Sequence, residues 1–211
     1  MDKGAVNLRF LLVLVALCIG SSAWGQREYW DSLSVWQVGK VAPHADVMPA
    51  DSGWVMDLNG VWAFRYYERP EEMGGGDGIA TYGTENGGGD GIATNRKEKW
   101  DSITVPGNLE LQGYGVAVYV NMKNEFPSNP PNAPREYNPT GVYYREVEIP
   151  GDWDGRRTFF RIGAASSAVE LYINGKFVRY SEDSFTPAEW EIGDYVKTGK
   201  NQICIVLHRW S

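Results

Sequence analysis

Cysteine and histidine are nearly missing from this 211-residue chain, with two of each. Cys18 lies in an apolar stretch near the start, and Cys204 lies in the run ICIVL (203–207). If the first segment is removed, one thiol remains, so no internal disulfide can form and cysteine-based metal sites are excluded. A buried, inert thiol is the expectation for Cys204. His44 and His208 are too few and too far apart for a histidine metal centre or a Ser-His-Asp arrangement. Long hydrophobic runs are also absent. The longest, FLLVLVALCI (10–19), is half the length of about 20 residues that a membrane-spanning helix needs. Positive charge is scarce, at 20 Lys and Arg against 27 Asp and Glu. An acidic balance argues against nucleic acid and against anionic membrane surfaces as partners. No segment of any length carries the helical period.

The short apolar run has the context of an export signal. Lys3 and Arg9 precede it, and SSAWG (21–25) supplies small residues for cleavage before Gln26. Residues 1–25 are therefore expected to be a signal peptide, and the protein to be exported, to a bacterial periplasm or beyond the cell. Removing Lys3, Arg9 and Asp2 leaves 18 basic against 26 acidic side chains, a balance of −8. Residues 26–56 have scattered aromatics and no period, and read as an extended arm. GGGDGIAT occurs at 74–81 and again at 87–94. So glycine-rich a stretch cannot bury enough apolar surface to offset its ordering entropy, and about 71–99 reads as an inserted surface loop. It lacks the Lys-Ser/Thr ending of a phosphate loop.

The remainder reads as strands. VWAFRYY (61–67) places Trp62, Phe64 and Tyr66 on one face by period 2. SITVPG (102–107), GVYYREVEIP (141–150) and RTFFRIG (157–163) follow, and AEWEIGDYV (188–196) reads as a short strand or a turn. VELYINGKFVRYS (169–181) is the strongest local signal: two apolar runs flank Asn174-Gly175, and a type I′ turn needs φ > 0 at both central positions. NQICIVLHRW (201–210) is long and apolar, as a strand buried on both faces would be. Many short strands separated by turns predict an all-β domain over 57–211, a sandwich or jelly roll preceded by the arm. Core packing is the expected role of Trp62, Trp190 and Trp210.

Glu182 and Asp183 are the tempting carboxylate pair. Sequence neighbours in extended chain point to opposite faces, so a turn role is expected rather than the facing geometry of a glycosidase. His208 ends an apolar strand and is expected to be half-buried and hydrogen-bonded. The long polar, Pro- and Gly-rich stretch 105–145 between two strands is the candidate ligand-facing loop, because long irregular loops in compact domains tend to be functional.

That stretch also carries a resemblance. LNGVWAF (58–64), VPGNLELQGYG (105–115), YVN (119–121), NPP (129–131), NPTGVYYR (138–145), INGKFVRYSEDS (173–184) and LHRWS (207–211) resemble, in order, glycoside hydrolase family 2, and within it the long, multidomain β-galactosidases. The resemblance covers roughly residues 28–211 and implies a jelly-roll sugar-binding domain packed on a later catalytic barrel. It implies that Asn121 contacts the galactosyl group and that Met122 lines the pocket wall. An amide both donates and accepts, which suits a sugar hydroxyl. It implies further that the catalytic glutamates belong to the barrel, that no catalytic residue lies among these 211 residues, and that the chain is inactive alone. The expected partners are a β-galactoside, the downstream domains and further copies of the whole protein. No cofactor is expected in this piece; sodium and magnesium are implied for the full-length enzyme. A stand-alone carbohydrate-binding module, or a family 2 β-glucuronidase or β-mannosidase piece, are the alternatives.

Overall fold

A computed structural model describes residues 29–44, 53–73, 100–118 and 131–211. The expected signal peptide, both glycine-rich repeats, Asn121 and Met122 lie outside the described residues.

The architecture is all-β, with only short 3-10 turns as helical structure among the described residues. Among the described residues nine strands occur, in the order β1 (Gln37–Val38), β2 (Gly60–Tyr67), β3 (Asp101–Val105), β4 (Thr140–Ile149), β5 (Phe159–Ile162), β6 (Ala168–Ile173), β7 (Lys176–Ser181), β8 (Ala188–Glu191) and β9 (Gly199–His208). Seven form one antiparallel sheet, ordered β1-β7-β6-β9-β4-β2-β3, and β5 pairs with β8 in a second. Every segment expected to be a strand is one. The β6–β7 hairpin turns at Asn174 (φ 52°) and Gly175 (φ 77°), as the Asn-Gly pair predicts. Asn174 does more than allow the turn. Its amide nitrogen donates to the Tyr195 carbonyl and to Asn201 Oδ1, both at 2.9 Å, and its oxygen accepts the Gln202 amide at 3.0 Å.

The main core lies between the two sheets. Trp62, Phe64, Tyr143, Val169, Leu171 and Ile203 from the large sheet meet Phe160, Ala188 and Trp190 from the small one. Period 2 explains the selection: on β4, Tyr143, Val147 and Ile149 point inward while Glu146 and Glu148 are exposed. Trp62 and Trp190 sit in this core as expected, whereas Trp210 is only half-buried because it follows the last residue of β9. Gly141 on β4 has a specific reason to be glycine. A Cβ there would lie 2.8 Å from the Phe64 ring.

Among the described residues, the opposite face of the large sheet is covered at one end. Val142, Tyr172, Cys204 and Val206 are buried there beneath Trp100 and Met73, and Tyr180 and Ala168 beneath Trp30 and Ala133. At the other end Glu146, Glu148 and Lys200 face water. So β9 is buried on both faces where it approaches His208. Burial pushes the Cys204 thiol up to about 12, which keeps it protonated and inert. The segment before β2 contributes much of this cover. Trp30 is 3% exposed, Tyr29 stacks on Phe177 with ring centroids 5.4 Å apart, and β1 closes the sheet edge along β7. Lys40 continues the attachment through an ion pair to Asp183 at 2.6 Å.

Trp190 is fully buried, so Trp190→Ala is expected to destabilise the chain by about 3–5 kcal/mol, read from the denaturant midpoint. The hydrogen bond from Lys40, then that from Thr186, holds the Asp183 carboxyl below its ordinary value of 3.8. A depressed carboxyl adds stability above the unfolded value and loses it as pH falls through the folded one. Asp183→Asn should therefore lower stability at pH 7 by up to about 1 kcal/mol, since Asp183 is partly exposed. The gap to wild type should close as the pH falls below 3.8, measured by thermal unfolding across that range.

Candidate functional site

The ladder register brings six strand ends together on the covered side of the sheet. Tyr67 pairs with Thr140, Thr140 with His208, and His208 with Ala168; Val169 pairs with Ser181, and Ser181 with Gln37. The two stems of the candidate ligand-facing stretch converge at this same end. Residues 106–118 run back along β2, with Tyr114 packed edge-on against Phe64 at 4.6 Å and tilted against Tyr66 at 6.1 Å. Residues 131–139 return beside the N-terminal segment.

The returning stem is held by charge and by amide pairing. Asp31 accepts the Ala133 amide at 3.0 Å and also pairs with Arg135, whose guanidinium lies over the Trp30 ring at 5.3 Å. Asn138 is fully buried. Its Nδ2 donates to the Trp210 carbonyl at 3.0 Å, and its Oδ1 accepts the Trp210 amide at 2.9 Å. Its own backbone amide donates to the Glu68 carbonyl at 2.8 Å. One buried residue thus ties the ends of β2, β4 and β9, and both polar atoms of its side chain have a partner, as burial demands.

Beneath these ties runs a buried polar chain. The Thr140 hydroxyl donates to the Asn138 carbonyl at 2.9 Å, and His208 Nδ1 lies 3.1 Å from that hydroxyl. Which of the two donates in this second contact is set by the imidazole tautomer. His208 Nε2 lies 3.3 Å from Glu170 Oε1, and the Tyr172 hydroxyl donates to Glu170 Oε2 at 2.5 Å. His208 is 1% exposed, more deeply buried than the half-buried histidine expected, because the tilted Trp30 ring covers it at 5.4 Å. His44 lies apart, 3.5 Å from Glu189.

Glu182 and Asp183 do not face each other across a common space. Glu182 accepts the Tyr180 hydroxyl at 2.7 Å, and burial raises its carboxyl, while Asp183 turns to Lys40. Both lie just before the turn at Ser184 and Phe185, and their side chains serve contacts outside it. Among the described residues no three His, Cys, Asp or Glu side chains converge to hold a metal ion. Sequence reasoning missed Asp31, Asn138 and Arg209 as the residues that fix the stems. Asn138 and Arg209 lie inside the NPTG and LHRWS motifs, but nothing in their spacing shows that they meet.

Comparison with known proteins agrees with the geometry. The sequence profile described as "Glycosyl hydrolases family 2, sugar binding domain" matches residues 55–211, which takes in every strand except β1. A β-galactosidase of Priestia megaterium is 32% identical over 203 residues, covering 89% of this chain and 18% of that protein. A β-galactosidase of Psychromonas ingrahamii is 36% identical over 154 residues, covering 73% of this chain and 14% of that protein. The chain thus spans less than a fifth of the length of these curated relatives. Among solved structures, a β-glucuronidase of Dictyoglomus thermophilum is 24% identical with a TM-score of 0.46, covering 77% of this chain and 21% of that one. On the profile match and these two relatives, the chain belongs to glycosyl hydrolase family 2, as its sugar-binding domain.

Proposed function

We propose that the chain is the N-terminal sugar-binding domain of an exported β-galactosidase that hydrolyses terminal β-D-galactosides. The observation that carries this reading is the identity to β-galactosidases at 32% across 89% of the chain. In this reading the acid/base and nucleophile glutamates lie in a downstream barrel, and the present domain supplies one edge of the sugar site. Asn121 pairs with a galactosyl hydroxyl and Met122 forms the adjacent wall, both carried by the stretch whose stems meet at the covered end of the sheet. The strand order, in which β9 sits between β6 and β4, supports a jelly-roll connection. The charged start and short apolar run at 1–25 support export, and the whole protein is read as an oligomer.

Hydrolysis of a chromogenic β-galactoside by the full-length open reading frame tests the assignment. Wild type should turn it over, and Asn121→Ala should lose about 1–3 kcal/mol of transition-state stabilisation, the cost of leaving a buried polar partner unmade. Unchanged kcat/KM in the variant would remove Asn121 from the site. Turnover of a glucuronide or mannoside in place of the galactoside would reject the substrate class.

A further inference from the structure

Arg209 lies beyond the last ladder pair of β9 and outside the hydrophobic clusters, yet its side chain is only 16% exposed. Its Nη1 donates to the Val116 carbonyl at 2.9 Å and lies 2.8 Å from Glu110 Oε1. Its backbone amide donates to the Pro139 carbonyl at 2.9 Å. The next residue, Trp210, exchanges two hydrogen bonds with Asn138. One dipeptide therefore grips both stems, 110–116 and 138–139.

Among the described residues, the outgoing stem is tied near its start by the Gln112 side-chain amide, which exchanges two hydrogen bonds with the Thr104 backbone, and has little besides Tyr114 and Arg209 to hold its far end. The 3-10 turn Glu110–Gln112 buries no residue, Leu111 is 82% exposed and Val116 is 60% exposed. Among the described residues, apolar burial secures this stem as far as Tyr114. Beyond that point the described chain is held at the Val116 carbonyl by Arg209. Arginine suits the task because its planar fork can satisfy a carboxylate and a carbonyl together, which an ammonium on a flexible stem does less well.

We propose that Arg209 is a positioning residue for the sugar site: through Glu110 and the Val116 carbonyl it sets the spacing between the two stems, 106–118 and 131–139, of the connection that joins them. This rests on the function proposed above, in which that connection carries the sugar-contacting residues. Arg209 touches no substrate itself. A displaced stem weakens ground state and transition state alike, so its loss raises KM and leaves kcat nearly unchanged.

Two measurements separate this role from general stability and from the functional reading. The first is hydrogen exchange on the 211-residue chain, comparing wild type, Arg209→Met and Glu110→Gln. Exchange at the amides of 111–118 should rise about tenfold or more in Arg209→Met and less in Glu110→Gln, with the β4 and β9 amides unchanged. The second is steady-state kinetics of the full-length protein with a chromogenic β-galactoside. KM should rise about tenfold in Arg209→Met, with Arg209→Lys recovering part of the loss. Unchanged exchange at 111–118 overturns the proposal. So does exchange that rises throughout the sheet, which marks a merely structural role. Altered local exchange with unchanged KM leaves a clasp but overturns its link to the sugar site. If Arg209→Met does not fold, Glu110→Gln decides the same outcomes. Absence of galactoside turnover in the wild type sinks the functional reading and the sugar-site role with it, while exchange still decides whether the clasp exists.

Discussion

The antiparallel pairing of β4 with β9 is the constraint on which the rest of the domain depends. Ten residues of each strand are in register, from Thr140 opposite His208 to Ile149 opposite Gly199. These strands are the centre of the large sheet, with β2 and β3 added on one side and β6, β7 and β1 on the other. Alternation along the pair decides both faces at once. Tyr143, Val147 and Ile203 enter the core shared with the small sheet, while Val142, Cys204 and Val206 enter the second, smaller core. A one-residue slip would exchange these sets and bring Glu146 and Glu148 inward, so the register is fixed by burial on both sides.

The same pairing decides where a ligand-facing surface can be built. Because β4 begins where β9 ends, Asn138 and Trp210 are neighbours, and the chain entering β4 is locked to the chain leaving β9. The covered end of the sheet combines apolar packing with a buried polar chain from Asn138 through Thr140 and His208 to Glu170 and Tyr172. Such a network is costly if any member loses its partner, and fully satisfied it fixes a unique arrangement. The N-terminal segment completes it, since Trp30 closes over His208 and Asp31 holds Ala133. The stems are thus held from three sides by elements distant in sequence.

Much of the fold was legible in the residues. The strand of Gly60–Tyr67 follows from the alternation of Trp62, Phe64 and Tyr66, and the hairpin follows from Asn174-Gly175. The two-sided burial of β9 follows from its unbroken apolar run. The fate of Trp210 was not legible, because its burial depends on where the sheet ends rather than on its own type. The depth of His208 was missed for a related reason: the tryptophan that covers it lies far back in the chain. Asn121 and Met122 came from family resemblance, and no local physical rule singles them out from other polar and apolar loop residues.

The sequence by itself determined the class of structure and the family. Period-2 alternation, turn chemistry and spaced motifs are local properties, and they specify strands, turns and kinship without knowledge of what packs where. Only the tertiary structure decided that Arg209 meets Glu110 and Val116, that Asn138 meets Trp210, and that Asp31 meets Ala133. Those meetings depend on strand order and register, which arise from the burial of several strands at once, and no stretch of residues carries that information alone.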